Sequence, residues 1–384
     1  MRILHIADLH LKLSGPRADE CRRVFDFIAG NVKSLGVSAI VIPGDLYDRR
    51  SAPEERLYLA EFLSSLVDSS HRVFAIPGNH DDKDDLRLFS EQYGFHAAFE
   101  IISEPAVRIF EDVTFAFLPW PNLARLAASA GAGASIAVRR ELARTALLDV
   151  VRGFRLDLES EPARPSLLVA HLPVTGASMD SGQPVSAGEE VSLSADELLE
   201  SHAAGVALGH IHLRQAIGNL ESRPVWYSGS PFRCNFGESR GTKGGLVWTW
   251  DKKKKTWAVE PWDLPARRMV LLQAKWTDGA LSGFEEHEPL ADAEVRLRIE
   301  FQPEDRDAVR ARAEEVKTAL TAEGAFSVTV EERPLLIART RCAEVAAART
   351  TAEKLAVWAQ AAGVEAGLQG ALSKLAILEP EVRP

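Results

Sequence analysis

Five apolar runs within the first 212 residues each end in a residue type that binds metal ions, and this repetition constrains the fold more than any other feature. Arg2-Ile3-Leu4-His5-Ile6-Ala7 leads into Asp8-Leu9-His10, and Ser38-Ala39-Ile40-Val41-Ile42-Pro43 leads into Gly44-Asp45-Leu46-Tyr47-Asp48. Arg72-Val73-Phe74-Ala75-Ile76-Pro77 precedes Gly78-Asn79-His80-Asp81. Ser166 to Ala170 runs into His171, and Gly205 to Leu208 into Gly209-His210-Ile211-His212. Short apolar runs bounded by Gly turns read as buried strands. In open α/β sheets, ligands bind in the crevice beyond the carboxyl ends of the strands. Strands ending this way would bring Asp, His and Asn side chains into one crevice.

The 384 residues suffice for two or three domains, and 46% apolar with 26% charged residues indicates an ordinary folded protein. No apolar run approaches the ~20 residues of a membrane span. The start enters a strand pattern directly and lacks a signal-peptide cleavage site, so a cytoplasmic location is expected. Cys21, Cys234 and Cys342 are far apart, which fits a reduced compartment with no disulfide framework or thiolate zinc site. The net charge of −10 argues against coating nucleic acid by bulk electrostatics, while leaving room for a local positive groove.

Strand-like and helical runs alternate through about residue 120, the pattern of a layered α/β domain. Val24, Ile28, Val32 and Leu35 recur at helical spacing, as do Leu57, Leu59, Phe62, Leu63 and Leu66. Ala127 to Ala137 reads as a loop before a helix near Arg139 to Val151, and Ser194 to Glu197 as a capping box. From Arg223 to Trp262, short strands and turns suggest a second, antiparallel sheet. Lys252 to Lys255 reads as a solvated hairpin turn, with DNA contact as the alternative. Val295, Leu297, Ile299 and Phe301 alternate as in a half-exposed strand. A helix bearing Val309, Ala313, Val316 and Leu320 follows, then a strand at Phe326 to Glu331. The Ala-rich end carries Leu355, Val357, Trp358, Leu368, Leu372, Leu375 and Ile377 as a helical apolar set that needs a surface to pack on.

Oxygen and imidazole donors without thiolate suit manganese, iron, magnesium or zinc. The candidates are Asp8, His10, Asp45, Asn79, His171, His210 and His212, with His80 in the same crevice as a possible proton donor. Asp8 and His10 share a face if their strand continues, and His210 and His212 have the same spacing. His5, His71, His96, His202 and His287 lack such placement and read as structural or exposed. Asp48 either steadies a ligand or lies near substrate, and Arg49 and Arg50 either reach a phosphate or balance acidic neighbours.

In order, these residues resemble the calcineurin-like metallophosphoesterases, whose signature is D-x-H, G-D-x-x-D, G-N-H-D/E, H and G-H-x-H. The resemblance implies a four-layer αββα sandwich binding two divalent ions, with Asp45 as bridge. Asp8, His10 and His212 would complete one metal, and Asn79, His171 and His210 the other. A two-metal-activated water would hydrolyse a phosphoester, with His80 orienting the phosphate or protonating the leaving oxygen. Arg50 and Asp81 stand where the Ser/Thr phosphatases carry Gly and Glu. Trp226 to Pro231, Phe236-Gly237-Glu238 and Lys243-Gly244 look instead like the SbcD-type nucleases.

That resemblance implies a nuclease domain over 1–264, a small α+β capping domain over 265–334 and a helical partner-docking segment over 335–384. It further implies exonuclease action on duplex DNA ends and endonuclease action on single-stranded or hairpin DNA, with manganese as the expected ion. The partner would be an SbcC-like coiled-coil ATPase in DNA repair, and a homodimer is expected through helices near the second and third metal turns. Leu57 to Leu66, and Leu86, Leu88 and Phe89, fit such an interface or the core equally. The alternative activity is a stand-alone phosphodiesterase for cyclic nucleotides or other small diesters. A scaffold with a dead site would require a lost ligand, and none is missing.

Overall fold

The structure, a computed structural model, describes residues 1–68, 71–86, 98–129, 133–160, 164–179, 191–218, 223–238, 241–335, 343–364 and 367–378. Strands β1 (Arg2–His5), β2 (Ala39–Pro43), β3 (Arg72–Ile76) and β4 (Phe99–Ile101) pair in parallel in that order. A second sheet has the order β5-β6-β7-β8-β10-β9. Its strands are β5 (Ala106–Phe110), β6 (Val113–Leu118), β7 (Ser166–His171), β8 (Val206–Gly209), β9 (Gln215–Ala216) and β10 (Val225–Tyr227). Strands β11 (Gly244–Asp251) and β12 (Thr256–Asp263) return to the first sheet, β11 antiparallel to β1.

Successive strand residues point to opposite faces, and here both faces are covered. Leu4, Ile40, Ile42, Val73 and Ala75 pack with Phe25 and Ile28 of α1 (Ala18–Asn31) and Leu59, Phe62 and Leu63 of α2 (Pro53–Asp68). Their neighbours Ile3, Ala39, Val41, Phe74 and Ile76 meet Phe115, Phe117, Leu167 and Val169 of the second sheet. On that sheet's outer side, Leu118, Leu168 and Ala170 pack with Leu147, Val151 and Phe154 of α3 (Ile136–Ser160). The result is the expected four-layer α/β/β/α sandwich. Helix α4 (Ala195–Leu199) opens on the expected capping box, Ser194 Oγ accepting from Glu197 N and Glu197 Oε2 from Ser194 N.

Two expectations change, and open alternatives are decided. The segment from Arg223 onward forms no sheet of its own: β10 joins β8 in parallel, while β11 and β12 extend the first sheet. Local alternation identifies such strands, but their pairing depends on residues more than 200 positions away in the case of β11 and β1. The stripe on α2 is core rather than interface, since Leu59, Phe62, Leu63 and Leu66 are buried and only Leu57, 56% exposed, faces out. Leu86 is buried too, and Leu88 and Phe89 lie outside the described residues. Helix α3 runs well past the expected limits at both ends. Lys252 to Lys255 form the exposed β11–β12 turn. Because β11 runs antiparallel to β1, with Arg2 opposite Thr249, that turn lies at the sheet end opposite the ligand turns.

A third sheet, in the order β14-β13-β15-β16, comprises β13 (Met269–Thr277), β14 (Ala280–Ser282), β15 (Glu294–Phe301) and β16 (Ser327–Pro334). The expected burial holds for Val295, Leu297, Ile299 and Phe301, and for Val309, Ala313, Val316 and Leu320 of α5 (Arg306–Ala322). Helices α6 (Ala343–Ala347), α7 (Thr351–Ala362) and α8 (Leu368–Leu378) follow. The chain divides into two compact units: Met1–Gln273 with Phe284–Arg298 and Glu314–Glu331, and Ala274–Gly283 with Ile299–Ala313 and Glu332–Pro384. Among the described residues, no helix is long and apolar enough to cross a membrane.

His71 bonds to the Leu66 carbonyl, His202 pairs with Glu159 and His287 with Glu323, while His96 lies outside the described residues. His5 is fully buried between the sheets: its Nε2–H donates to Leu208 O at 3.0 Å, and Nδ1 accepts from Trp248 Nε1 at 3.4 Å. Burial pushes the His5 imidazole down to about 3, against the raising effect of its bond to Leu208. Between its ordinary value and about 3, the unfolded chain therefore holds a proton that folded His5 lacks. Stability is retained above the ordinary imidazole range and falls as pH drops through this window, by up to about 1.4 kcal/mol per pH unit. His5→Gln keeps a donor and an acceptor without titrating. Denaturant unfolding of both proteins from pH 7 to 4 is expected to show a shallower loss in the variant.

Candidate metal centre

All five ligand turns lie beyond the carboxyl ends of adjacent parallel strands, β1, β2 and β3 in one sheet and β7 and β8 in the other. The first two turns are held together by backbone bonds, Asp8 N to Gly44 O, His10 N to Asp45 O and Leu11 N to Leu46 O. Asp8 and His10 do not reach the crevice on a continuing strand. Strand β1 ends at His5, and Asp8, His10 and Asp45 have φ of 53°, 42° and 51°, with His210 at 105°. Left-handed backbone at non-glycine residues is costly and persists where the surroundings enforce it. Glycine allows the turns to approach: a Cβ on Gly44, itself at φ 89°, would collide with the His171 ring, and one on Gly78 with the Asp45 carboxylate.

The structure brings all seven expected donors and His80 into this crevice. His10 Nε2 and His212 Nε2 are 2.8 Å apart, and Asp8, His10 and His212 form one potential ligand group. Asn79 Oδ1 lies 3.0 Å from both His171 Nε2 and His210 Nδ1. Asp45 sits between these sets, with Oδ2 3.7 Å from His10 Nε2 and 3.5 Å from His171 Nε2. Its Oδ1 accepts from the His80 backbone N at 2.9 Å. His171 Nδ1–H donates to Pro43 O at 2.7 Å, which turns Nε2 toward Asn79 and Asp45. The His80 ring stands edge-on to His10, with centroids 4.9 Å apart, and its Nδ1 bonds to Asp48 O at 2.8 Å.

The electrostatics fit a cation. Burial raises the Asp8 carboxyl above its usual range, outweighing the nearby His212 and His171 imidazoles. Its Oδ1 accepts from His210 N, yet the buried Oδ2 has no hydrogen-bond partner. Burial opposes ionisation of Asp45 as well, but the charge and hydrogen bond of His171, with His10 and the His80 N–H, hold it below the usual carboxylate range. His10 is pushed down to about 3 by burial and by His212, so it presents a neutral imidazole. His171 rises to about 9 because Asp45 and Asp8 overcome its burial. Crowded carboxylates and imidazoles with an unpartnered buried oxygen are the donor set of a hard or borderline divalent cation.

The other motif residues support the turns. Asp81 accepts from Gly78 N at 2.8 Å, Tyr47 N at 3.0 Å and Leu46 N at 3.2 Å, tying the third turn to the second. Asp48 pairs with Lys12 at 2.7 Å and lies 3.8 Å from His10 Nδ1. Arg49 pairs with buried Glu55, and Arg50, its side chain 83% exposed, lies 3.8 Å from Asp82. Sequence reasoning assigned no role to Trp120, Glu238 or Lys243. Trp120 lies against His210 and His171, with ring centroids 5.2 and 5.8 Å apart. Its only sequence signal is its place just beyond an apolar strand, as for the ligands. Glu238 is 4% exposed and accepts from His212 Nδ1 at 2.9 Å.

Residues 1–214, more than half the chain, match the calcineurin-like phosphoesterase family. The fold and the site thus meet in one class, and the chain belongs to that family. It is 32% identical over 265 residues to the D subunit of nuclease SbcCD from Bacillus subtilis (strain 168), covering 64% of this chain and 66% of that protein. With the same nuclease's D subunit from Escherichia coli (strain K12), identity is 28% over 257 residues, covering 63% of each. The chain thus spans less than two thirds of the length of these relatives. Among solved structures, a dimetal phosphatase from Danio rerio aligns with 65% of this chain and 92% of its own at a TM-score of 0.37 and 10% identity.

If close approach of the turns builds the centre, a divalent cation such as manganese should raise the melting temperature of the wild type and not of Gly78→Ala. In contrast, a Cβ on exposed Gly153 of α3 meets nothing within 4 Å. Gly153→Ala should keep the metal response and gain ~0.5–1 kcal/mol of stability. A full manganese shift in the folded Gly78 variant would contradict this account.

Proposed function

We propose that the chain is a metal-dependent DNA nuclease, the catalytic subunit of a repair complex with an SbcC-like coiled-coil ATPase. The observation that carries the chemistry is the Asp45 carboxylate, placed between His10 and His171 with imidazoles from both sheets around it. The choice of DNA is supported by the similarity to the two SbcCD nuclease proteins. Bound divalent ions, for which we favour manganese, would supply Lewis-acid charge for in-line hydrolysis of a phosphodiester. Asp45 would hold both ions, with Asp8, His10 and His212 at one and Asn79, His171 and His210 at the other. His80, positioned through Asp48 O, would orient the scissile phosphate or protonate the leaving oxygen.

Regions beyond the crevice fit the partnership. Helix α7 opens on a Thr350–Glu353 capping box and ends at Gly363, yet leaves Trp358 53% exposed. An exposed tryptophan on a capped helix supports the partner-docking role of residues 335–384, as the partner for an apolar face. The net charge of −10 gives little bulk affinity for DNA, which favours phosphate contacts supplied in part by a second protein. We retain the homodimer, through residues other than the buried α2 stripe, and the capping role of residues 265–334.

The test is cleavage of end-labelled duplex and hairpin DNA with manganese, magnesium or EDTA, beside an aryl phosphodiester. Manganese-dependent DNA shortening is expected, lost in Asp45→Ala together with metal binding. His80→Ala should retain the metals and lose ~10²–10⁴-fold in cleavage. Turnover of the aryl diester with intact hairpin DNA would favour a small-molecule phosphodiesterase. Near wild-type cutting by the His80 variant would remove His80 from the chemistry.

A further inference from the structure

Behind His212 lies a buried polar network that the chemistry above does not use. Glu238 Oε1 accepts from His212 Nδ1 at 2.9 Å and from Asn235 Nδ2 at 2.9 Å. Its Oε2 accepts from Lys243 Nζ at 2.9 Å and from the Cys234 backbone N at 3.1 Å. Lys243 is 3% exposed, and its ammonium also donates to His212 O and Ser230 Oγ, both at 3.0 Å. The lysine therefore grips the carboxylate that holds the His212 ring and the backbone that carries it. A buried carboxylate and a buried ammonium are each costly alone, and here the two are paired with further hydrogen bonds to each.

His212, Cys234 and Glu238 are close enough to resemble a third ligand group. Lys243 argues against that role, because its positive charge already occupies Glu238 Oε2. With Nδ1–H committed to Glu238, the ring has one orientation and presents Nε2 beside His10. In the other ligand set, His171 donates to a backbone carbonyl, and the His210 ring lies tilted beside Trp120.

We propose that the Glu238–Lys243 pair is a positioning device for His212 that sets affinity at one of the two metal positions and leaves the other unchanged. This rests on the two-ion reading of the site. A carboxylate behind a metal-binding histidine fixes its tautomer and raises its basicity, and losing such a partner costs ~10–100-fold in metal affinity.

The full chain is titrated with manganese alone, by calorimetry for stoichiometry and by electron paramagnetic resonance for the spin-coupled pair. The proteins are wild type, Glu238→Gln, and Glu238→Gln with Lys243→Met, the last avoiding a stranded buried ammonium. Wild type is expected to bind two ions with a coupled signal. In both variants, one site should weaken ~10–100-fold while the other keeps its affinity, so that the coupled signal gives way to that of an isolated ion. Two sites of wild-type affinity in the folded variants, or equal weakening of both, would overturn the proposal. Fewer than two ions in wild type would instead overturn the two-ion reading beneath it.

Discussion

Asp45 is a carboxylate 1% exposed to solvent, with an imidazole from each sheet within 4 Å of its Oδ2. Burial alone would protonate it, yet the charge and hydrogen bond of His171, with the His80 N–H, keep it ionised. Satisfying that one charge requires turns from both sheets to meet at a single point. The parallel order of β1, β2 and β3 beside β7 and β8 delivers those turns to the same end of the sandwich. Glycines at 44 and 78 remove the side chains that would hold them apart. Left-handed backbone at Asp8, His10, Asp45 and His210 is the local cost of the arrangement.

Much of this was legible in the sequence because each donor follows an apolar run closed by a tight turn. That pattern depends on local residue order, and it picked out the seven candidate donors and His80 that the fold brings into one crevice. The backbone conformation of Asp8 and His10 was not legible, since a D-x-H spacing fits a straight strand as well as two left-handed turns. Pairing was hidden for the same reason in β11, whose alternation is clear but whose partner is the first strand of the chain. Glu238 and Lys243 were visible only as parts of a family-like succession. A lysine just before a strand gives no sign that its ammonium is buried on a histidine's support. Trp120 offers no atom to a metal, so the pattern of ligand residues does not mark it.

The same geometry separates regions by task. The lysine-rich β11–β12 turn lies at the sheet end away from the crevice, so it does not supply phosphate contacts there. Arg49 and Arg50 face acidic partners, as charge balance near an acidic site requires. Cations held by these donors would supply positive charge for a phosphoester in the crevice.

The most direct measurement is anomalous scattering from crystals of the chain soaked in manganese. Two peaks are predicted ~3.5–4 Å apart, both in contact with Asp45. One should lie among Asp8, His10 and His212, the other among Asn79, His171 and His210. A single peak, or a peak held by Glu238 and Cys234 on the far side of His212, would contradict the account.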